Sequence, residues 1–275
     1  MKVTFAYSPC PNDTFMFEPI FSGRIDTRGI DFEIVHDEVE QLNLSAFGRK
    51  YDVSKLSFST FAKVVGQYQL LNAGAALGKN CGPILVSKKP LQLARAEEYK
   101  IAIPGVNTTA NLMLSLAVPH AVNKVEILFS EIEEAVLAGT VDAGLIIHES
   151  RFTYQSKGLQ KLLDVGEYWE SQTQTPIPLG GIAVARDLDS KLKGDIDAVI
   201  RESVAYAFAH PKSGLTYIRE HAQEMDESVM YSHIDLYVNE YSKDLGEEGK
   251  KSVATLFQKL GLEEELTASG LPLLV

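Results

Sequence analysis

The groups in this 275-residue chain whose types and spacing could do chemistry are few. They are a histidine at the end of an apolar run, a lysine with a serine two residues on, a cluster of small polar residues, and a cysteine between two prolines. His148 lies in the stretch Asp142-Ala143-Gly144-Leu145-Ile146-Ile147-His148-Glu149-Ser150. The apolar part, Ala143 to Ile147, is short, β-branched toward its end and flanked by polar residues, the pattern of a strand buried on both faces. In open α/β sheets ligands bind at the carboxyl ends of strands, and the loops there carry chemistry. An imidazole with an ordinary pKa of about 6.5 suits proton abstraction at neutral pH. His148 is therefore the leading candidate for a catalytic group, although a histidine so placed is also commonly a hydrogen-bonded structural residue.

Lys55 and Ser57, two apart in the strand-like Tyr51 to Thr60, share a face in extended chain. A cation and a hydroxyl there can hold a carboxylate, or be a solvated lysine and a helix-capping serine. Asn107-Thr108-Thr109-Ala110-Asn111 opens a helix; with Asn107 as N-cap, Thr108 and Thr109 fall among first-turn amides able to receive an anion. Cys10 sits in Ser8-Pro9-Cys10-Pro11-Asn12-Asp13-Thr14-Phe15, a turn where Asn12 or Asp13 is expected to cap the next helix. Neither Cys10 nor Cys81 has a histidine nearby in sequence, so a Cys10–His148 pair would have to be made across the cleft by the fold.

The elements that must position these groups alternate. Lys2 to Tyr7 and Ile30 to Val35 read as strands, and Glu38 to Phe47 as a helix stopped by Gly48. Leu70 to Ala76 and Pro83 to Ser87 read as further strands. After Lys88-Lys89-Pro90 the pattern restarts with strands at Tyr99 to Ile103 and Lys124 to Phe129. Ser130 to Glu133 forms a capping box for a helix that Gly139 ends, with Glu131, Glu133 and Glu134 on its solvated face. A second Pro/Gly-rich crossing, Pro176 to Gly181, precedes the strand-like Ile182 to Ala185. Two crossings describe a discontinuous first α/β lobe, residues 1–88 and 179–275, and a second α/β lobe, residues 89–178. Ile196, Val199, Ile200, Val204, Ala207 and Phe208 form one C-terminal apolar face, and Val253, Leu256, Phe257 and Leu260 another. These helices are expected to support the first lobe rather than perform chemistry.

A net charge of −11 and a pI near 5.1 disfavour nucleic acid as a partner, since a phosphate backbone calls for clustered lysine and arginine. The start of the chain shows no secretory signal, and no later run approaches the roughly 20 apolar residues of a membrane span, so a cytoplasmic protein without membrane contact is expected. Two cysteines without metal-ligand spacing are expected to be free thiols. His36, His120, His210, His221 and His233 are scattered, and no zinc, phosphate-loop, dinucleotide or serine-hydrolase motif occurs. The oligomeric state is open.

The octet Ser8 to Phe15, with Asn107 to Asn111 and Gly144 to Glu149, resembles the 1,4-dihydroxy-6-naphthoate synthase family of the futalosine route to menaquinone, in order along essentially the whole chain. The octet is the most specific of the three; Pro19, inside the first helix, is a local departure. The resemblance implies a two-lobed fold similar to type II periplasmic binding proteins, with the ligand cleft between lobes. It implies a lyase that converts cyclic dehypoxanthine futalosine, a small-molecule carboxylate, to 1,4-dihydroxy-6-naphthoate without metal or nucleotide cofactor. By position, His148 matches the family's proton acceptor, while Lys55-Leu56-Ser57 and Thr109-Ala110 match its substrate-binding segments. The related chorismate dehydratase family shares the architecture, but the octet favours the synthase. A non-catalytic solute-binding protein shares the two-lobed plan, and the strand-end histidine weighs against it.

Overall fold

A computed structural model describes residues 1–222, 226–262, 270 and 272–275. From the N-terminus, β1 (Lys2–Tyr7), α1 (Pro11–Phe21), β2 (Asp31–His36), α2 (Val39–Phe47), β3 (Val53–Ser57) and α3 (Phe58–Val64) alternate. The short strands β4 (Tyr68–Leu70), β5 (Ala76–Gly78) and β6 (Ile84–Ser87) follow. Next come β7 (Ile101–Ile103), α4 (Thr109–Ala117), β8 (Lys124–Glu126), α5 (Ile132–Ala138), β9 (Ala143–Ile146) and the single turn α6 (Ser150–Thr153). Then β10 (Gln160–Asp164), α7 (Val165–Thr173) and β11 (Ile177–Ala185) lead to the C-terminal helices. These are α8 (Ser190–Ala209), α9 (Leu215–His221), α10 (Glu227–Tyr237), α11 (Glu240–Lys243) and α12 (Gly246–Lys259).

Two mixed sheets result. The first runs β2-β1-β3-β11-β4, with β5 also on β11, and the second runs β10-β6-β9-β7-β8. Alternation in β1 sends Val3, Phe5 and Tyr7 into a core with Met16, Phe17 and Ile20 of α1 and Ile196, Val199, Ile200 and Val204 of α8. A larger cluster joins Leu56, Phe58 and Phe61 of the first sheet's side to Leu85, Ile103, Leu145 and Trp169 of the second. The inner ends of the two sheets therefore share apolar packing beneath the cleft.

Several local expectations change in the fold. The strand Ile84–Ser87, placed in the first lobe by a boundary at residue 88, pairs antiparallel with β9 and β10 of the second sheet. On the return, Ile177 and Pro178 already pair with β5 of the first sheet, ahead of the boundary at 179. Pairing partners, which the chain meets only on folding, decide both points. Of the expected strand Leu70 to Ala76 only the two ends are strand, Leu70 closing β4 and Ala76 opening β5. Between them Gly74, at φ +85°, donates its amide to the Ser242 carbonyl of α11, so the backbone bonds to a helix instead of a neighbouring strand. Helix α1 starts from Cys10 as N-cap with Pro11 in its first turn, leaving the Asn12 and Asp13 side chains uncommitted to capping. It continues through Pro19 to Phe21, because a proline so close to the end forfeits little. The capping box at Ser130 does not form; a 3₁₀ turn, Phe129–Glu131, leads into α5. Glu133 is buried and paired with Lys157 and Ser150, not solvated.

Strand β9 is buried throughout, as its composition requires. A Cβ on its Gly144 would lie 2.4 Å from Ile132 Cγ2 and 2.9 Å from Val136 Cγ2 of α5. Gly144→Ala is expected to destabilise the fold by about 1–3 kcal/mol through overpacking, read as a lower urea midpoint at unchanged slope. Among the described residues no helix is long and apolar enough to cross a membrane.

Candidate active site

The carboxyl ends of β1, β3, β7 and β9 open onto one cleft between the sheets, with about 680 Å³ of atom-free space. All six residues singled out from the sequence line it: Lys55, Leu56 and Ser57 at the end of β3, Thr109 and Ala110 at the start of α4, and His148 beyond β9. Lys55 and Ser57 do share a face, opposite Ile182 and Gly180 of β11.

Lys55 is not a free cation. Its Nζ donates to Asp13 Oδ1 at 2.7 Å, and the two side chains are 8% and 2% exposed. Burial raises the Asp13 carboxyl above its ordinary value, and Lys55 and the Ser8 amide pull it back only in part. Asn12 Nδ2 donates to the same oxygen at 2.7 Å. The octet thus supplies a buried counter-ion rather than caps. Ser57 occupies the N-cap position of α3 without a side-chain capping bond. Its Oγ accepts from Asn43 Nδ2 at 3.0 Å, and its amide donates to Asn43 Oδ1 at 3.0 Å. With its acceptor side occupied, the Ser57 hydroxyl retains a proton to donate into the cleft.

The N-cap of α4 is Thr108, whose Oγ1 accepts from the Asn111 amide, so Asn107 does not cap. Asn107 instead joins the lobes: it donates Nδ2 to Glu40 Oε1 at 2.7 Å and accepts from Lys63 Nζ at 3.1 Å. Thr109 Oγ1 donates to the Leu179 carbonyl at 2.7 Å and accepts from the Ser59 amide at 3.2 Å. Its hydroxyl is therefore used between lobes, and what α4 offers a ligand is the positive end of its backbone.

Strand β9 stops at Ile146, two residues before His148, which adopts a left-handed φ of +56°. That conformation turns the chain so that His148 and Glu149 do not simply occupy opposite faces of a continued strand. Burial, then the Lys55 charge, lowers the His148 pKa to about 4. Its ring lies 4.8 Å from Phe129 and 5.7 Å from His233, nearly parallel to the latter. Nε2 is 3.7 Å from Cys10 Sγ. The fold does bring cysteine and histidine together; both Cys10 and Cys81 are free and buried.

His233 and Tyr237 are neighbours of the candidate site that sequence reading missed. They come from α10, one of the helices expected only to support the first lobe. His233 is fully buried, its Nε2 2.9 Å from Asn12 Oδ1 and its Nδ1 4.0 Å from Glu149 Oε2. Burial, with the charges of His148 and Lys55, lowers its pKa well below the usual range. Tyr237 lines the cleft. No local signal marks either residue, since their partners lie across the chain. His148, Glu149 and His233 also bring one nitrogen or oxygen atom each within 4.8 Å of one another.

Over residues 3–261 the chain matches the family model described as menaquinone biosynthesis. It is 43% identical over 269 residues, 98% of this chain and 97% of the relative, to a 1,4-dihydroxy-6-naphthoate synthase of Thermus thermophilus. A crystal structure of a protein from Archaeoglobus fulgidus superposes with a TM-score of 0.88 at 34% identity, covering 95% of this chain and 98% of that one. A Candida albicans protein described as having the generic periplasmic-binding-protein fold superposes with a TM-score of 0.67 at 12% identity, covering 95% and 90% of the two chains. The two mixed α/β sheets around a cleft are that fold, and across nearly its whole length the chain belongs to the 1,4-dihydroxy-6-naphthoate synthase family of menaquinone biosynthesis.

Proposed function

We propose that the chain converts cyclic dehypoxanthine futalosine to 1,4-dihydroxy-6-naphthoate and a sugar-derived fragment, with His148 as general base. The observation that carries this reading is a histidine kept neutral by burial at the edge of a cleft whose opposite wall offers proton donors. The substrate carboxylate is received by the Ser57 hydroxyl, the first-turn amides of α4 at Thr109 and Ala110, and the remaining Lys55 N–H donors. Leu56 contributes cleft wall. His148 then removes a proton so that the sugar-derived part leaves, and aromatisation of the new ring drives the step. With its charge largely answered by Asp13, Lys55 orients the carboxylate more than it attracts it from a distance.

The test is incubation of the purified protein with cyclic dehypoxanthine futalosine, without added cofactor, followed by mass detection of the naphthoate. Product is expected, and kcat/KM should be flat between about pH 5 and 8 and fall with unit slope through about pH 4. The sign follows from the base acting unprotonated: below its pKa, His148 carries a proton and cannot take another. Substrate recovered intact from folded protein would overturn the reaction. An acid limb near the ordinary histidine value of about 6.5 would remove the shifted His148 as its source.

A further inference from the structure

Cys10 stands apart from the other groups around the cleft. It is 4% exposed and does not line the cavity, whereas Ser8 and His148, the residues on either side of it in space, do. Its Sγ lies 2.8 Å from Ser8 Oγ and 3.7 Å from His148 Nε2. The sulfur is placed rigidly: Pro9 and Pro11 flank it, and its carbonyl, at the N-cap of α1, accepts from the amides of Asp13 and Thr14 at 3.1 and 3.0 Å. Burial and the nearby Glu149 charge hold the thiol well above its ordinary pKa. A nucleophilic cysteine needs the reverse: thiolate character and access to the ligand.

His148, for its part, needs to be held. A non-glycine residue at φ +56° costs on the order of 1 kcal/mol and persists where its surroundings determine it. Phe129 and His233 lie beside the ring, but neither ring contact selects which nitrogen bears the proton. The Cys10 contact is on a nitrogen, and so can.

We propose that Cys10 is a positioning residue for His148: its sulfur accepts the Nε2–H, the thiol proton is donated to Ser8 Oγ, and Nδ1 is left as the lone pair that serves as base. In this chain each of the three groups donates once, and the Ser8 hydroxyl keeps its own proton for the cleft. The nitrogen turned toward the buried sulfur is removed from the ligand, which explains why a cysteine outside the cavity sits against a histidine that lines it. This inference rests on the reading of His148 as base, but its signature in the resting protein does not.

The test is nitrogen-15 NMR of the imidazole tautomers, practicable with six histidines in the chain and assigned by loss of one signal set in His148→Gln. Wild-type His148 is expected to be the Nε2–H tautomer. In Cys10→Ala that preference should weaken and kcat fall about 10–100-fold through misplacement, with KM changed less than about twofold. Cys10→Ser, whose oxygen still accepts a proton, should recover part of both. An Nδ1–H tautomer in the wild type overturns the proposal even if Cys10→Ala fails to fold. So does a folded Cys10→Ala with unchanged tautomer and kcat. Wild-type protein that shows the expected tautomer yet makes no naphthoate would instead sink the proposed reaction.

Discussion

Replacing His148 by glutamine is expected to lower kcat about 10²–10⁴-fold, or roughly 3–5 kcal/mol of transition-state stabilisation, while leaving ligand affinity nearly unchanged. The affinity is retained because the carboxylate contacts proposed above, at the end of β3 and the start of α4, do not include the His148 side chain. The backbone is the main risk, since position 148 has φ +56° and glutamine is less at ease there than histidine or asparagine. His148→Asn is therefore the companion variant: it tolerates the left-handed conformation and lacks a base. Both should retain a ligand-induced rise in Tm with the naphthoate product, which reports binding independently of turnover. A folded variant that turns over within about threefold of wild type would remove His148 from the mechanism.

The second large effect concerns the Lys55–Asp13 ion pair in the cleft wall. Lys55→Met should destabilise the protein by about 3–5 kcal/mol at pH 7, because it leaves the Asp13 carboxylate buried without its cation. Asp13 is held by the Asn12 amide as well as by Lys55 and is only 1% exposed. Burial already raises the Asp13 pKa above its ordinary value against the pull of Lys55, and loss of Lys55 raises it further. A carboxyl group whose folded-state pKa is raised contributes stability below its unfolded value and loses it as pH rises through the folded value. The gap between wild type and Lys55→Met in urea denaturation should therefore narrow from pH 7 toward pH 4. Adding Asp13→Asn should recover much of the loss, since a neutral pair of similar volume replaces the orphaned charge. A loss below about 1 kcal/mol at pH 7, the range of exposed pairs, would show that solvent reaches Asp13.

These two residues show where sequence reading succeeds and where it stops. The site segments were legible because strand ends and helix starts are local: alternation, apolar runs and small polar residues fix them within a few positions. Ser57, Thr109 and His148 were found this way; parallel β7 and β9 bring Thr109 and His148 to one edge, and the packing of the two sheets brings Ser57 to the same cleft. Their hydrogen-bond partners were not legible. Thr109 reads as a source of first-turn amides, and nothing local shows that its hydroxyl is spent on Leu179; Asn107 reads as a cap and instead holds Glu40. In each case the alternative partner lies far along the chain, and no window of neighbouring residues contains it.

The sequence by itself determined the alternation of strands and helices, the candidate residues at strand ends and, through the octet and two further motifs, the family. Those depend on local periodicity and on short contiguous runs. Tertiary structure alone decided that Ile84–Ser87 joins the second sheet, that Lys55 is answered by Asp13, that α10 delivers His233, and that Cys10 reaches His148. Each of these is a contact between segments many residues apart. The hydrogen bond, burial and charge that give such a contact its chemistry arise only when the two segments share one desolvated space.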